Sequence, residues 1–210
     1  MKLYFSPGAC SLSPHIVAEE LGIALALERV DTKTKKLVDG SDYFAVNPKG
    51  YVPALVLDNG ELLTEGPAIV QYLADSKPDA KLAPANGTLE RYRLQEMLGF
   101  INSEIHKAYS PLFYPNTPAE TRQDRLEHLR KRYTLIDKRL ADRPYLLGEQ
   151  FTVADAYLFT VTNWAGHVKL DLSGFPNLLA FQARVAARPA VVAAMTAEGL
   201  LGAKASPAAK

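Results

Sequence analysis

The sequence predicts two domains, a mixed α+β unit over residues 1–80 and an all-helical unit over residues 88–201. Three observations predict it. Strand and helix patterns alternate through the first eighty residues, a stretch rich in Pro and Gly interrupts them, and beyond it strand signals vanish.

Lys2-Leu3-Tyr4-Phe5 is a short apolar strand, and the Ser6-Pro7-Gly8 turn leads to a helix from about Ser11 to Leu21 that Gly22 is suited to stop. A second strand runs from about Leu25 to Val30. A third, Ala54-Leu55-Val56-Leu57, meets Glu61-Leu62-Leu63 across Asp58-Asn59-Gly60, and Asn-Gly is a strong hairpin signal. Helical spacing resumes after Gly66-Pro67, with Ile69, Val70, Tyr72 and Leu73 apolar. The order βαβ then ββα gives a mixed sheet with helices packed on it, the thioredoxin-like plan.

Residues 81–87 read as a linker. Helices are expected from Leu89 to about Ser110, Ala119 to Asp142, Val153 to about Val168, and Asn177 to Ala187. Thr117-Pro118-Ala119-Glu120 and Thr152-Val153-Ala154-Asp155 both fit a capping box, so Thr152 and Asp155 read as structural. Leu126, Leu129, Tyr133, Ile136 and Leu140 form one apolar face. The tail over residues 202–210, small, polar and Pro/Ala-rich, is expected to be disordered.

Composition excludes several functions. With 24 basic and 23 acidic side chains the net charge is +1, so no long-range field recruits nucleic acid or anionic lipid. No apolar stretch approaches the roughly 20 residues of a membrane span. A single cysteine and no basic-then-apolar leader imply a cytoplasmic protein. His15, His106, His128 and His167 show no metal-ligand spacing with one another or with Cys10, so no metal is expected.

Cys10 stands just before the first helix, where unpaired backbone N–H groups and the helix dipole favour a thiolate. The alternative is a buried, inert cysteine. A thioredoxin-like redox motif needs a second cysteine three residues on, but that position is Ser13, so any disulfide must involve an external thiol such as a small thiol cofactor. Val52-Pro53 opens a strand, and local sequence favours its trans form. Glu65, Gly66 and Pro67 start a helix whose free N–H groups suit a carboxylate, while Glu65 either accepts a ligand ammonium or merely complements the dipole. His106 shares a small, polar helix stripe with Gly99, Ser103 and Ser110, facing a cleft or simply the surface. Lys33, Lys35 and Lys36 form a basic loop cluster whose default is solvation.

Lys2-Leu3-Tyr4, Pro7-Gly8-Ala9-Cys10-Ser11, Asp42-Tyr43-Phe44, Val46-Asn47-Pro48-Lys49-Gly50, Val52-Pro53-Ala54-Leu55, Leu63-Thr64-Glu65-Gly66, Glu104-Ile105-His106-Lys107 and Phe151-Thr152-Val153-Ala154-Asp155-Ala156-Tyr157 resemble, in order and spacing, the cysteine-type or beta-class bacterial glutathione transferases. The resemblance implies that Cys10 approaches the glutathione sulfur. It implies that Val52, before a cis Pro53, pairs its backbone with the cysteinyl part of the tripeptide. Glu65 and Gly66 would bind the γ-glutamyl end, Lys35 the glycyl carboxylate, and Ser103, Glu104 and His106 would complete the site, some from a second subunit of a homodimer. The family often has asparagine where this chain has Gly99, which leaves water or Ser103 to substitute, or a lower affinity.

The leading expectation is attack of the glutathione sulfur on a small apolar electrophile held against Tyr109, Phe113, Tyr114 and Trp164, with helix-start donors, Ser11 and a His106 proton lowering the sulfur's pKa. A mixed disulfide on Cys10 would instead support thiol transfer, disulfide reduction or peroxide removal. A non-catalytic ligand-binding scaffold is the third reading.

Overall fold

The computed structural model describes residues 1–201, and the tail expected to be disordered lies outside the described residues. Strand β1 (Lys2–Phe5) runs into helix α1 (Leu12–Glu20), which returns to β2 (Ala26–Asp31) parallel to β1. Gly22, at φ +60°, ends the α1 turn in the left-handed conformation glycine tolerates. A two-residue strand β3 (Lys36–Leu37) pairs antiparallel with β2. Strands β4 (Ala54–Val56) and β5 (Leu62–Thr64) form the expected hairpin, and α2 (Gly66–Ser76) follows. The sheet order is β3-β2-β1-β4-β5, with β4 antiparallel to β1.

Alternation along β1 divides the sheet's two faces. Leu3 and Phe5 enter the main core beneath α1 and α2, while Tyr4 points the other way onto Tyr43, Val52 and Ala54. That second, smaller cluster supports the segment leading to β4. Tyr43 Oη and Asn47 Nδ2 both donate to the Tyr51 carbonyl, at 2.8 Å each, and Lys35 Nζ donates to the Gly50 carbonyl.

All described strands precede residue 65, and the remainder is helical. Helix α3 (Leu89–Phe100) passes into a π-helical turn, Ile101–His106, then α4 (Lys107–Tyr109) and a 3₁₀ turn, Ser110–Phe113. The single helix expected from Leu89 to Ser110 is therefore broken into three geometries. Helices α5 (Ala119–Arg139), α6 (Val153–Thr162) and α7 (Pro176–Ala186) match expectation within a few residues, except that α6 stops earlier and continues as a 3₁₀ turn at Asn163–Ala165. A further helix, α8 (Pro189–Ala197), was not anticipated.

The two capping boxes differ. Asp155 accepts from the Thr152 N–H and hydroxyl and from the Leu146 N–H, each at 2.8 Å, and burial pushes its carboxyl up to about 6. Thr117 makes no such cap. Its hydroxyl donates to the Pro111 carbonyl, and Pro118 takes the N-cap position of α5 without a side-chain bond.

The segment between α2 and α3 is pinned. Leu82 is buried and its carbonyl accepts from Val153 N–H, while buried Arg91 binds Asp75 through two nitrogens at 2.7 Å each and also reaches the Pro84 carbonyl. Helix α1 packs on α2, α6 and α8, so one apolar core runs through both halves of the chain.

Candidate active site

The β1–α1 loop, the start of β4, the start of α2 and the π-helical turn converge on a cleft of about 230 Å³. The Val52-Pro53 bond is cis, against the local expectation and as the resemblance implied. Cys10, half-buried, donates its thiol to the Val52 carbonyl at 3.1 Å. Glu65 holds φ +71°, a conformation that costs a non-glycine residue about 1–3 kcal/mol and is concentrated at functional sites. Lys49 Nζ binds the Glu65 carboxylate at 2.7 Å and Thr64 Oγ1 at 3.1 Å. Gly66 begins α2 with Pro67 behind it, so its N–H belongs to the donors a helix leaves unpaired at its start.

Across the cleft stands His106, whose Nδ1 is 2.6 Å from Tyr157 Oη, and Tyr157 donates to Asn102 Oδ1 at 2.9 Å. The π turn widens the helix there, as such turns often do at functional sites. It brings Asn102, His106 and Lys107 to the cleft wall. Behind His106, Trp164 packs edge-on at 4.9 Å between centroids, and Tyr109 and Phe113 pack on Trp164 at 5.6 Å each.

The loop carrying Cys10 is fastened to the far end of the chain. Trp164 Nε1 donates to the Gly8 carbonyl at 2.8 Å, and Gly8 N–H donates to Glu198 Oε2 at 2.8 Å. The other Glu198 oxygen lies 2.9 Å from His15 Nδ1 on α1, with both residues buried. Gly8 sits at φ +69°, and a Cβ there would stand 3.3 Å from Leu200.

Two family models match: glutathione S-transferase, N-terminal domain, over residues 8–76, and glutathione S-transferase, C-terminal domain, over residues 100–189. The glutathione S-transferase GstA of Escherichia coli O157:H7 is 50% identical over 200 residues, covering 95% of this chain and 100% of the relative. The chain belongs to the glutathione S-transferase family. Among solved structures, the bacterial transferase BphK in its ternary complex is 55% identical at a TM-score of 0.94, covering 95% of this chain and 100% of that one. The beta-class transferase of Sphingomonas chungbukensis is 51% identical at a TM-score of 0.93, covering 96% and 100%. The beta-class resemblance drawn from the motifs holds.

Of the residues singled out in the sequence, this transferase brings Cys10, Val52, Glu65, Gly66 and His106 to one cleft. Lys35, Ser103 and Glu104 do not line it, although Lys35 lies beside cleft-lining Tyr51. The Lys35 ammonium is spent on the Gly50 carbonyl and lies over the Tyr51 ring, 5.4 Å from its centroid. Ser103 donates to the Gly99 carbonyl, and Glu104 binds Arg132 at 2.6 Å with His128 3.5 Å away. Sequence reasoning missed Lys49, Asn102 and Tyr157 as cleft residues, although Lys49 and Tyr157 stood inside quoted motifs. Gly99 itself does not line the cleft, whereas Asn102, three residues further along, does.

The thiol's charge state corrects the expectation most sharply. Burial dominates and pushes the Cys10 thiol up to about 12, outweighing the Cys10 and Ser11 N–H groups, with Glu65 raising it further and Lys107 opposing. The Ser11 hydroxyl is turned away from the cleft: it is buried and donates to the Ser6 carbonyl. His106 is held down at about 4, chiefly by burial and then by Lys107, with Glu65 working against them, so it is neutral at neutral pH. The expected apolar wall also shifts: Tyr114 lines the cleft, Phe113 is exposed, and Tyr109 and Trp164 are buried behind.

A larger hollow of about 790 Å³ lies between the α2–α3 segment, Arg139 and Gln150. Among the described residues its lining includes no Cys, Ser or His and none of the predicted site residues. Among the described residues no three His, Cys, Asp or Glu side chains converge as a metal site, and no single helix is long and apolar enough to cross a membrane.

Proposed function

We propose that this transferase binds glutathione in the Cys10 cleft and conjugates its sulfur to small apolar electrophiles, with Cys10 acting as a neutral hydrogen-bond donor and not as a redox thiolate. The observation that carries this reading is the Cys10 Sγ standing 3.1 Å from the Val52 carbonyl, a contact that a thiol and not a thiolate makes, with burial pushing that thiol up to about 12. A thiol near 12 is a poor nucleophile at neutral pH, because the thiolate is the reacting species in disulfide exchange. It still carries a proton that an anionic sulfur can accept, although S–H is a weak donor. Glu65 and the α2 start would take the γ-glutamyl end, where ammonium and carboxylate meet a carboxylate and free N–H groups. Val52, extended before β4, would pair with the cysteinyl backbone.

We further read Ser103 and Glu104 as residues offered to the partner subunit's cleft in a homodimer. Phe44, Tyr72, Leu89 and Tyr92 are large apolar or aromatic side chains left exposed, the kind of surface a partner subunit would cover. Sedimentation equilibrium should give twice the chain mass, and a monomer at micromolar concentration would end this part of the reading.

Two measurements test the role of Cys10. Cys10→Ser should retain conjugation of chlorodinitrobenzene within about tenfold, while reduction of a glutathione mixed disulfide is negligible in both forms. Alkylation of Cys10 by iodoacetamide should accelerate about tenfold per pH unit up to pH ~10 without levelling, as a thiol far above neutrality requires. A plateau near neutral pH, or disulfide reduction abolished by the substitution, would establish the redox alternative.

A further inference from the structure

Tyr157 has one phenolic proton and two polar neighbours, Asn102 Oδ1 at 2.9 Å and His106 Nδ1 at 2.6 Å. An amide oxygen only accepts, so the proton goes to Asn102. The short contact that remains, between Oη and Nδ1, then requires the nitrogen to donate. A neutral imidazole has a single N–H, and which nitrogen carries it is set by the bond the other one makes. Tyr157 stays protonated because burial, with smaller contributions from Cys10 and Glu65, raises its phenol above the usual range.

Nε2 is the free end. Among the described residues it makes no hydrogen bond and is not one of the buried unpartnered atoms, and His106 lines the cleft. The edge-on contacts with Tyr157 and Trp164 hold the ring plane. The other charged and titratable groups sharing this cleft are Cys10 from the first loop, Lys49 and Tyr51 before β4, Glu65 at the α2 start, Lys107 and Tyr114 after the π turn, and Tyr157 on α6.

We infer that Tyr157 and Asn102 are positioning residues that hold His106 as its Nδ1–H tautomer, leaving Nε2 as the acceptor for the glutathione thiol proton. This rests on the cleft being the glutathione site. In the step, the S–H proton passes to Nε2 as the sulfur attacks, so no free imidazolium accumulates. A sulfur lone pair forms the bond to the electrophilic carbon, the leaving group departs with the electrons of its own bond, and the proton leaves Nε2 for solvent. Burial keeps the resting imidazole neutral, so Nε2 is free to accept, and it drives the acquired proton off to solvent once the new bond is made.

The tautomer is read directly by long-range ¹H–¹⁵N correlation of the His106 ring at neutral pH, assigned by comparison with His106→Gln. Nδ1 should appear as the protonated nitrogen and Nε2 as the bare one. A proton on Nε2, as an Asn102 amide turned to donate would produce, overturns the proposal. Tyr157→Phe should mix the tautomers and lower kcat about tenfold while calorimetric glutathione affinity moves less than about twofold. Asn102→Asp, which keeps the acceptor, should preserve the wild-type tautomer where Asn102→Leu does not. Loss of kcat with an unchanged tautomer in Tyr157→Phe also counts against the proposal. Absence of glutathione binding to the wild-type protein would sink the site reading instead, and the ring spectrum would still decide the tautomer.

Discussion

The floor and the rim of the cleft are built in opposite ways. At the floor, the Cys10 loop is tied through Gly8 to Trp164 and Glu198, and Glu198 is tied to His15, all of them buried side chains. At the rim, Lys49 and Glu65 meet in an ion pair whose side chains are 52% and 63% exposed. Buried bonds of this kind are expensive to break because each orphaned group stays desolvated, whereas an exposed ion pair is screened and contributes little. The floor is therefore a stability element that also aims the thiol, and the rim is a charge element free to exchange partners.

The sharpest way to break that contrast is Glu198→Ala. It strips His15 Nδ1 and the Gly8 N–H of their acceptor in a site water does not reach, and a loss of about 3 kcal/mol is expected in urea unfolding. A loss under about 1 kcal/mol would show that the floor is not the structural member of the pair. Lys49→Met should do the reverse: a stability change within ~0.5 kcal/mol, as for other exposed pairs, with glutathione affinity weakened about fivefold because the cleft loses a cation for a doubly carboxylated ligand. An unfolding shift as large as that of Glu198→Ala would merge the two regions into one network.

The floor was hardly legible in the sequence, while much of the cleft was. Cys10, Val52, Glu65, Gly66 and His106 sit at element ends, where turn residues and motif spacing announce them. Glu198 acts on Gly8 across 190 positions, and nothing local marks it as a partner. Helix α8 escaped notice because its residues are mostly alanine and valine, which leaves no polar face to set a period. The π turn escaped because the residues from Leu89 to Ser110 suit a helix of any pitch. The direction of the Cys10 shift was misjudged for a related reason: donors at a helix start can be counted along the chain, but the desolvation that outweighs them depends on what packs over the loop.

Helix α1 lies against α2 of its own half and against α6 and α8 of the other. A cut between residues 81 and 87 would strand half of a shared interior on each fragment, so neither piece inherits a complete hydrophobic nucleus. The chain is modular in its genealogy of patterns but indivisible in its thermodynamics: the sheet that holds the thiol borrows its rigidity from helices α6 and α8, encoded far downstream.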